Sequence, residues 1–230
     1  DKSKLSKRKH GETVSLTYYK NKGYLPQAIL NCVSLIGWNP GTEQEIFSMN
    51  ELIKAFDLSK VQKGGAIFNI EKLNWINRKY IEKMNDKEFL EESKAFLPKN
   101  INKKLLPLIR EKISYFGEIE NLLSNEFSFV NPILNYTKES LMWKQEKNIH
   151  STKANLNLII DILETLKDFS KESVKNAIWP IAEEKGRGNV LWPMRYALSA
   201  KEKSPDPFII SEILGKEETL KRLHFAYDKI

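Results

Sequence analysis

Apolar residues recur along this chain at helical spacing far more often than in alternation. Pro26 stands where a first helical turn tolerates proline, apolar residues follow at Ile29, Val33 and Ile36, and Gly37 closes the segment. Ser48-Met49-Asn50-Glu51 has the spacing of a capping box and leads into ELIKAF. Ile70, Leu73, Ile76 and Tyr80 keep helical register through NIEKLNWINRKYI, and Leu156, Ile159, Ile160 and Leu163 make another apolar stripe. Asp206-Pro207 reads as an N-cap with a first-turn proline for FIISEIL, which Gly215 ends. Only TVSLTYY, residues 13–19, hints at an extended piece. The pattern predicts an all-α chain.

Pro98 and the run PKNINKK mark a break, as does NIHSTK at 148–153. Composition turns lysine-rich near Met84, which sets an expected boundary between domains 1–83 and 84–230, with a subdivision near residue 150. No repeat of roughly 20–50 residues is visible.

With 230 residues and 41% apolar content, the chain can bury one large core or two modest ones. No apolar run approaches the roughly 18 residues of a membrane span. The single cysteine, Cys32, excludes an internal disulfide and a Cys-rich zinc site, and its apolar neighbours suit a small buried side chain. His10, His150 and His224 have no partner at ligand spacing, so no metal site is expected. The net charge of +7 favours a polyanionic partner, with nucleic acid the leading class. The opening DKSKLSKRKH adds a sharper hint. Lys4 and Lys7, three apart with the Ser6 hydroxyl between them, suit a cluster of phosphates, and they equally suit a solvated basic tail.

The run KLSKRKHGETVSLTYYKNKGYLPQAILNCVSLIGW resembles a stretch of bacterial glutamyl-tRNA synthetases. The family's lysine loop appears at Lys4–Arg8, its following glycine as His10-Gly11, its G-Y-L-P-x-A-[IL]-x-N element at Gly23–Asn31, and its L-G-W as Ile36-Gly37-Trp38. Glu45-Ile46-Phe47-Ser48, Phe68-Asn69 and Lys72-Leu73-Asn74-Trp75-Ile76-Asn77 follow in order, and VLWPMRYALSAKEKSPDPFIISEILGKEETLKRL resembles the family's closing segment. The resemblance covers nearly the whole chain and thins between about residues 84 and 175. Three departures stand out: KRKHG is one residue longer than the family loop, Ser199-Ala200 replaces the usual Thr-Gly, and no His-x-Gly-His signature is present.

The resemblance implies a C-terminal fragment of such an enzyme: a lysine loop and stem-contact domain over 1–83, then an all-helical anticodon-binding domain. In the intact enzyme, ATP with Mg2+ activates glutamate, which is then transferred to the 3′ end of its tRNA. Lys7 would stabilise charge on the phosphates in the transition state, supported by Lys4. Lys4, Lys7 and Arg8 would hold the ATP phosphates, while Ser6 would either hydrogen-bond a phosphate or shape the turn. Without the nucleotide-binding half, this chain should be inactive and act as a tRNA-binding module. The expected partners are tRNA and the missing catalytic half, with no membrane, a monomeric state and a cytoplasmic location.

For tRNA contact, basic residues suit phosphates and guanidinium planes suit bases. Arg110 and Lys112 in LLPLIREKI, Arg187 in GRGN and Arg195 in PMRYAL are the candidates. Arg187 reads as an exposed turn residue between two glycines. Arg195 reads either as an anticodon contact or as half of an internal salt bridge, and Lys103-Lys104 as a solvated face or an RNA contact. Trp192 reads as core or base platform, Trp75 as structural, and Trp38 as a cap on a domain interface. The rival from another class is a helical protein-interaction scaffold with no RNA affinity.

Overall fold

The computed structural model describes residues 6–62, 64, 67–130 and 135–230, without the side chains of Lys7 and His10. The described residues contain no β-strand; a lone antiparallel bridge joins Trp38 to Val61. The chain divides into two compact units, Asp1–Asn121 and Leu122–Ile230. The expected functional boundary near Lys83 falls inside the first.

The first unit contains α1 (Lys7–His10), α2 (Leu16–Lys22), α3 (Pro26–Gly37), α4 (Met49–Ala55), α5 (Ile70–Glu82), α6 (Asp86–Ser93) and α7 (Leu106–Lys112), and the division falls within α8 (Ile119–Ser124). Local chemistry sets most of these ends. Pro26 opens α3. The Ser48 hydroxyl accepts from the Glu51 amide while the Glu51 carboxylate accepts from the Ser48 amide, so α4 starts on a full capping box. Asn69 caps α5, and Asn85 with Glu88 forms a second capping box on α6.

TVSLTYY is not extended. Gly11–Val14 forms a 3-10 turn, Ser15 alone is extended, and α2 begins at Leu16. The helix prevails because it turns Tyr19 inward, where its ring meets Tyr24 at 5.3 Å and Phe68 at 5.9 Å.

The core of this unit is α3 against α5. Leu73, Ile76 and Ile81 are fully buried, each contributing about 1.5–3 kcal/mol by removal from water. Two buried amides tie the layer together. The Asn31 side chain donates to the Glu45 carbonyl (3.0 Å) and accepts from the Phe47 amide (2.9 Å) and the Tyr80 hydroxyl (3.1 Å). Asn77 accepts from the Leu25 amide (2.8 Å) and donates to the Ser114 carbonyl (2.6 Å). The face α3 buries is carried by Ala28, Asn31 and Cys32, whereas Val33 on the sequence-read stripe is half exposed. Trp38 is buried with Phe47 and Leu52. Trp75 lies on the outer side of α5, 39% exposed, with the Lys72 ammonium 4.5 Å from its ring centre.

The second unit is built from α9 (Ile149–Thr165), α10 (Lys171–Lys185), α11 (Arg187–Ser199) and α12 (Pro207–Lys229). α11 packs against the other three and against the 3-10 turn Lys138–Leu141. Leu156, Ile159, Ile160 and Leu163 of α9 are all buried, as their spacing predicts. Asp206 caps α12 with bonds from the Phe208 and Ile209 amides, and the helix breaks at Gly215 (φ 77°, ψ 172°) before resuming to Lys229. Arg222 is 2% exposed, yet its charge is answered: Nη1 donates to the Phe129 and Leu198 carbonyls and Nε to Glu218.

Candidate nucleic-acid interface

At the start of the chain Lys4 lies outside the described residues, as does the Lys7 side chain. Ser6 is half-buried and its carbonyl accepts the Lys9 amide (3.1 Å), and Arg8 is exposed on α1. Cys32 is no nucleophile: it is 2% exposed, and burial pushes its thiol up, which disfavours the thiolate.

α7 carries Arg110 and Lys112 in its last turn, where cations complement the helix dipole. The Arg110 guanidinium is turned back into the protein. Nη1 donates to the Met84 carbonyl (2.8 Å) and to Asp86 (2.9 Å), which fixes α7 to the start of α6 and leaves 23% of the side chain accessible. Lys112 is exposed.

The other two candidates sit on α11, eight residues and so about 12 Å apart along the axis. Arg187 is not in a turn; it is the first residue of α11, and the turn is Gly186 (φ 92°). Its guanidinium lies 4.7 Å from the Trp179 ring centre and 3.3 Å from Glu183, which also accepts the Trp179 indole N–H (3.0 Å). Gly188 lies within α11, and packing rather than a turn keeps it without a side chain. A side chain there would meet the Trp143 indole, whose ring packs 5.3 Å from that of Trp192.

Arg195 forms no ion pair with a described residue; its guanidinium lies 5.0 Å from the Trp192 ring centre. Trp192 is half-buried and its indole donates to the Ser140 carbonyl (3.0 Å), so the ring is anchored at one edge and supports the cation with its face. Arg195 borders an open groove of about 610 Å³ with Asn125, Glu126, Lys201, Glu202, Lys203 and Ser204. The Lys201 ammonium donates to the Asn125 carbonyl, and the Ser199 hydroxyl to its own Arg195 and Lys201 carbonyls. Ala200, which stands in the usual glycine place, adopts the left-handed conformation (φ 55°) and ends α11 there. The groove thus offers a guanidinium held on an indole, two ammonium groups, hydroxyl and amide donors and two carboxylates at or near the rim. Such a set suits phosphates together with an unstacked base.

Sequence reasoning singled out Arg195 but missed Lys201, Lys203 and Ser204, which only the reversal at Ala200 brings to it. Tyr136, also missed, packs edge-on to Tyr196 (5.8 Å). Burial pushes its phenol up, so it stays neutral, and its hydroxyl has no hydrogen-bond partner among the described residues. No described residues form a cluster of three metal-ligating side chains, and no described helix is long and apolar enough to cross a membrane.

Residues 70–227 match the family model of the anticodon binding domain, and residues 1–75 match that of the catalytic domain of class I tRNA synthetases (E and Q). The chain belongs to the anticodon-binding domain family of these synthetases. Its relatives are glutamate–tRNA ligases. It is 36% identical to that of Flavobacterium johnsoniae over 217 residues (90% of this chain, 42% of the relative) and 36% identical to that of Clostridium botulinum over 232 residues (99% and 47%). The crystal structure of a glutamate tRNA ligase from Elizabethkingia meningosepticum superimposes with a TM-score of 0.79 at 33% identity, covering 99% of this chain and 49% of that one. The chain spans about half the length of the curated relatives it matches.

Proposed function

We propose that this chain binds transfer RNA and that its second unit reads the anticodon loop, within the work of a glutamate–tRNA ligase. The observation that carries this reading is the polar groove beside Arg195, where three cations face two carboxylates, on a domain of the anticodon-binding family. Lysines on phosphates supply affinity, and Arg195, oriented by Trp192, reads a splayed base. Arg187 on Trp179 is the second contact on the same helix. Arg110 contributes less, since Met84 and Asp86 already hold its guanidinium, and Lys112 contacts phosphate. In this reading residues to Lys83 contact the tRNA stem and the rest reaches the anticodon.

The lysine loop belongs to the chemistry. Lys4, Lys7 and Arg8 hold the ATP phosphates, Mg2+ arriving with the nucleotide, and Ser6 shapes the loop or donates to an oxygen. ATP supplies the activation of the glutamate carboxylate; the loop's own part is to place positive charge where phosphate charge grows. The chain works beside the remaining catalytic half in the cytoplasm, as a monomer. By itself it binds tRNA and charges none.

The test is fluorescence anisotropy with glutamate tRNA and with an anticodon-swapped version, at salt from about 50 to 200 mM. Tighter binding to the cognate tRNA, falling steeply with salt, is expected. Equal binding of both overturns the anticodon assignment, and no binding at any salt favours a protein-interaction scaffold.

A further inference from the structure

Two arginines of α11 stand on tryptophan rings, and they differ in what answers their charge. Arg195, on Trp192, has no carboxylate partner among the described residues. Arg187, 4.7 Å from the Trp179 ring centre, is paired with Glu183 at 3.3 Å, and the same carboxylate oxygen accepts the Trp179 indole N–H at 3.0 Å. One carboxylate thus fixes ring and guanidinium together. Trp179 is half-buried with Phe208 6.3 Å from its ring, whereas 64% of the Arg187 side chain is accessible, so the guanidinium is the member presented outward. Lys175, one turn earlier on α10, lies 5.6 Å from the same ring centre and has no ion pair with a described residue. The nearby Glu184 is matched by Lys185 at 3.6 Å. A guanidinium already compensated by a carboxylate is a weakened partner for phosphate, but its weakly hydrated plane remains a surface on which a base can stack.

We propose that Arg187, backed by Trp179, is a sequence-tolerant stacking shelf for one nucleotide of the bound RNA loop, with Lys175 on its phosphate, while base identity is read at Arg195. The inference rests on the tRNA reading above and adds Trp179 and Lys175 to the interface. The charge compensation at Arg187 divides the two roles. Telling bases apart needs donors free to meet base edges, and Glu183 already takes one of those of Arg187; stacking needs only a flat face, which every base has. Spacing separates the two nucleotides. Arg187 and Arg195 lie about 12 Å apart along α11, three to four steps of stacked nucleotides at about 3.4 Å each. The nucleotide on Arg187 is therefore not the neighbour of the one on Arg195. An acidic peptide fits this place less well, because a carboxylate is already seated on the guanidinium.

The experiment measures anisotropy of the 230-residue chain with a labelled anticodon stem-loop of glutamate tRNA, each loop nucleotide in turn being made abasic or given another base. One position, not adjacent to the one that depends on Arg195, should lose about tenfold in affinity when abasic and less than about twofold when its base is merely changed. Arg187→Lys and Arg187→Ala should each weaken the parent loop about tenfold, because both lose the plane, and in either variant the abasic change at that position should cost nothing more. Trp179→Phe, which keeps a ring under the guanidinium, should retain more binding than Trp179→Leu. Exposed ion pairs add little to stability, so circular dichroism should report unaltered helix content in the Arg187 variants. Arg187→Lys binding as tightly as the parent overturns the proposal, since the contact is then one of charge. It is equally overturned if losses from Arg187→Lys add to those of every abasic position, or if changing the base at the coupled position costs as much as removing it. Each of these results leaves RNA binding in place and sinks this proposal alone. Absence of binding by the parent chain at any salt sinks the tRNA reading, and this inference with it.

Discussion

A Cβ placed on Gly188 would lie 2.5 Å from the indole Nε1 of Trp143. Helix α11 therefore approaches the Trp143–Trp192 pair so closely that its backbone, with no side chain, forms one wall of the aromatic stack beneath Arg195.

Gly188→Ala should consequently destabilise the second unit by about 1–3 kcal/mol despite the better helix propensity of alanine, because the methyl group overpacks the indole. Urea unfolding followed by tryptophan fluorescence measures it. Trp143→Ala, combined with Gly188→Ala, should cost less than the two separate changes added together, since the clash then has no second party.

In the groove, Arg195 and Lys203 should behave differently. Arg195→Ala is expected to weaken cognate tRNA binding by about 1–3 kcal/mol and to narrow the gap between cognate and anticodon-swapped tRNA. Lys203→Ala should weaken both tRNAs alike and lower the salt slope by about one. Anisotropy titrations over a salt series separate these outcomes.

The first unit should depend on its buried amides more than on any single methyl group. Asn77→Ala orphans the Leu25 amide and the Ser114 carbonyl, at about 1–3 kcal/mol each. Asn74→Ala orphans a single group, the hydroxyl of the buried Tyr24, and should cost less, about 1–3 kcal/mol in all. Thermal melts of the two variants rank them directly.

The capping box of α4 should report on pH. The Ser48 backbone N–H, then its hydroxyl, hold the Glu51 carboxyl below its ordinary 4.5. A lowered folded value means that the ionised form stabilises the helix start: the contribution is complete above about pH 4.5 and is lost as pH falls through the folded value. Carboxyl NMR should place the Glu51 midpoint below 4.5, and Ser48→Ala should move it upward. Glu51→Gln keeps an acceptor for the Ser48 amide and should remove the acid transition from the α4 amide shifts.

The ends of helices were legible from their residues because capping is local. Ser48 and Glu51, or Asp206 and Pro207, meet within one turn, and the observed bonds are the expected ones. Faces were harder. Apart from Gln27, Asn31 and Ser34 on one side, α3 is apolar around most of its circumference, so periodicity could not tell that Ala28 and Cys32 turn inward while Val33 turns out. The alternation in TVSLTYY misled because Tyr19 is claimed by Tyr24 and Phe68, the latter 49 residues distant. Arg110 likewise finds Met84 and Asp86 across a gap no spacing rule spans. Gly186 and Gly188 looked like two halves of one turn. Only the first is a turn; the second answers to Trp143.

The break in α12 has a consequence for how this fold can vary. Gly215 stands at φ 77° and ψ 172°, a conformation closed to any residue with a Cβ, although open space surrounds it. Saturating that codon should return glycine alone among stable clones, whereas Ala200, in the milder left-handed region, should accept glycine and asparagine freely. The bend that redirects the last helix is thus pinned by stereochemistry rather than by neighbours, and every other residue around it is freer to drift.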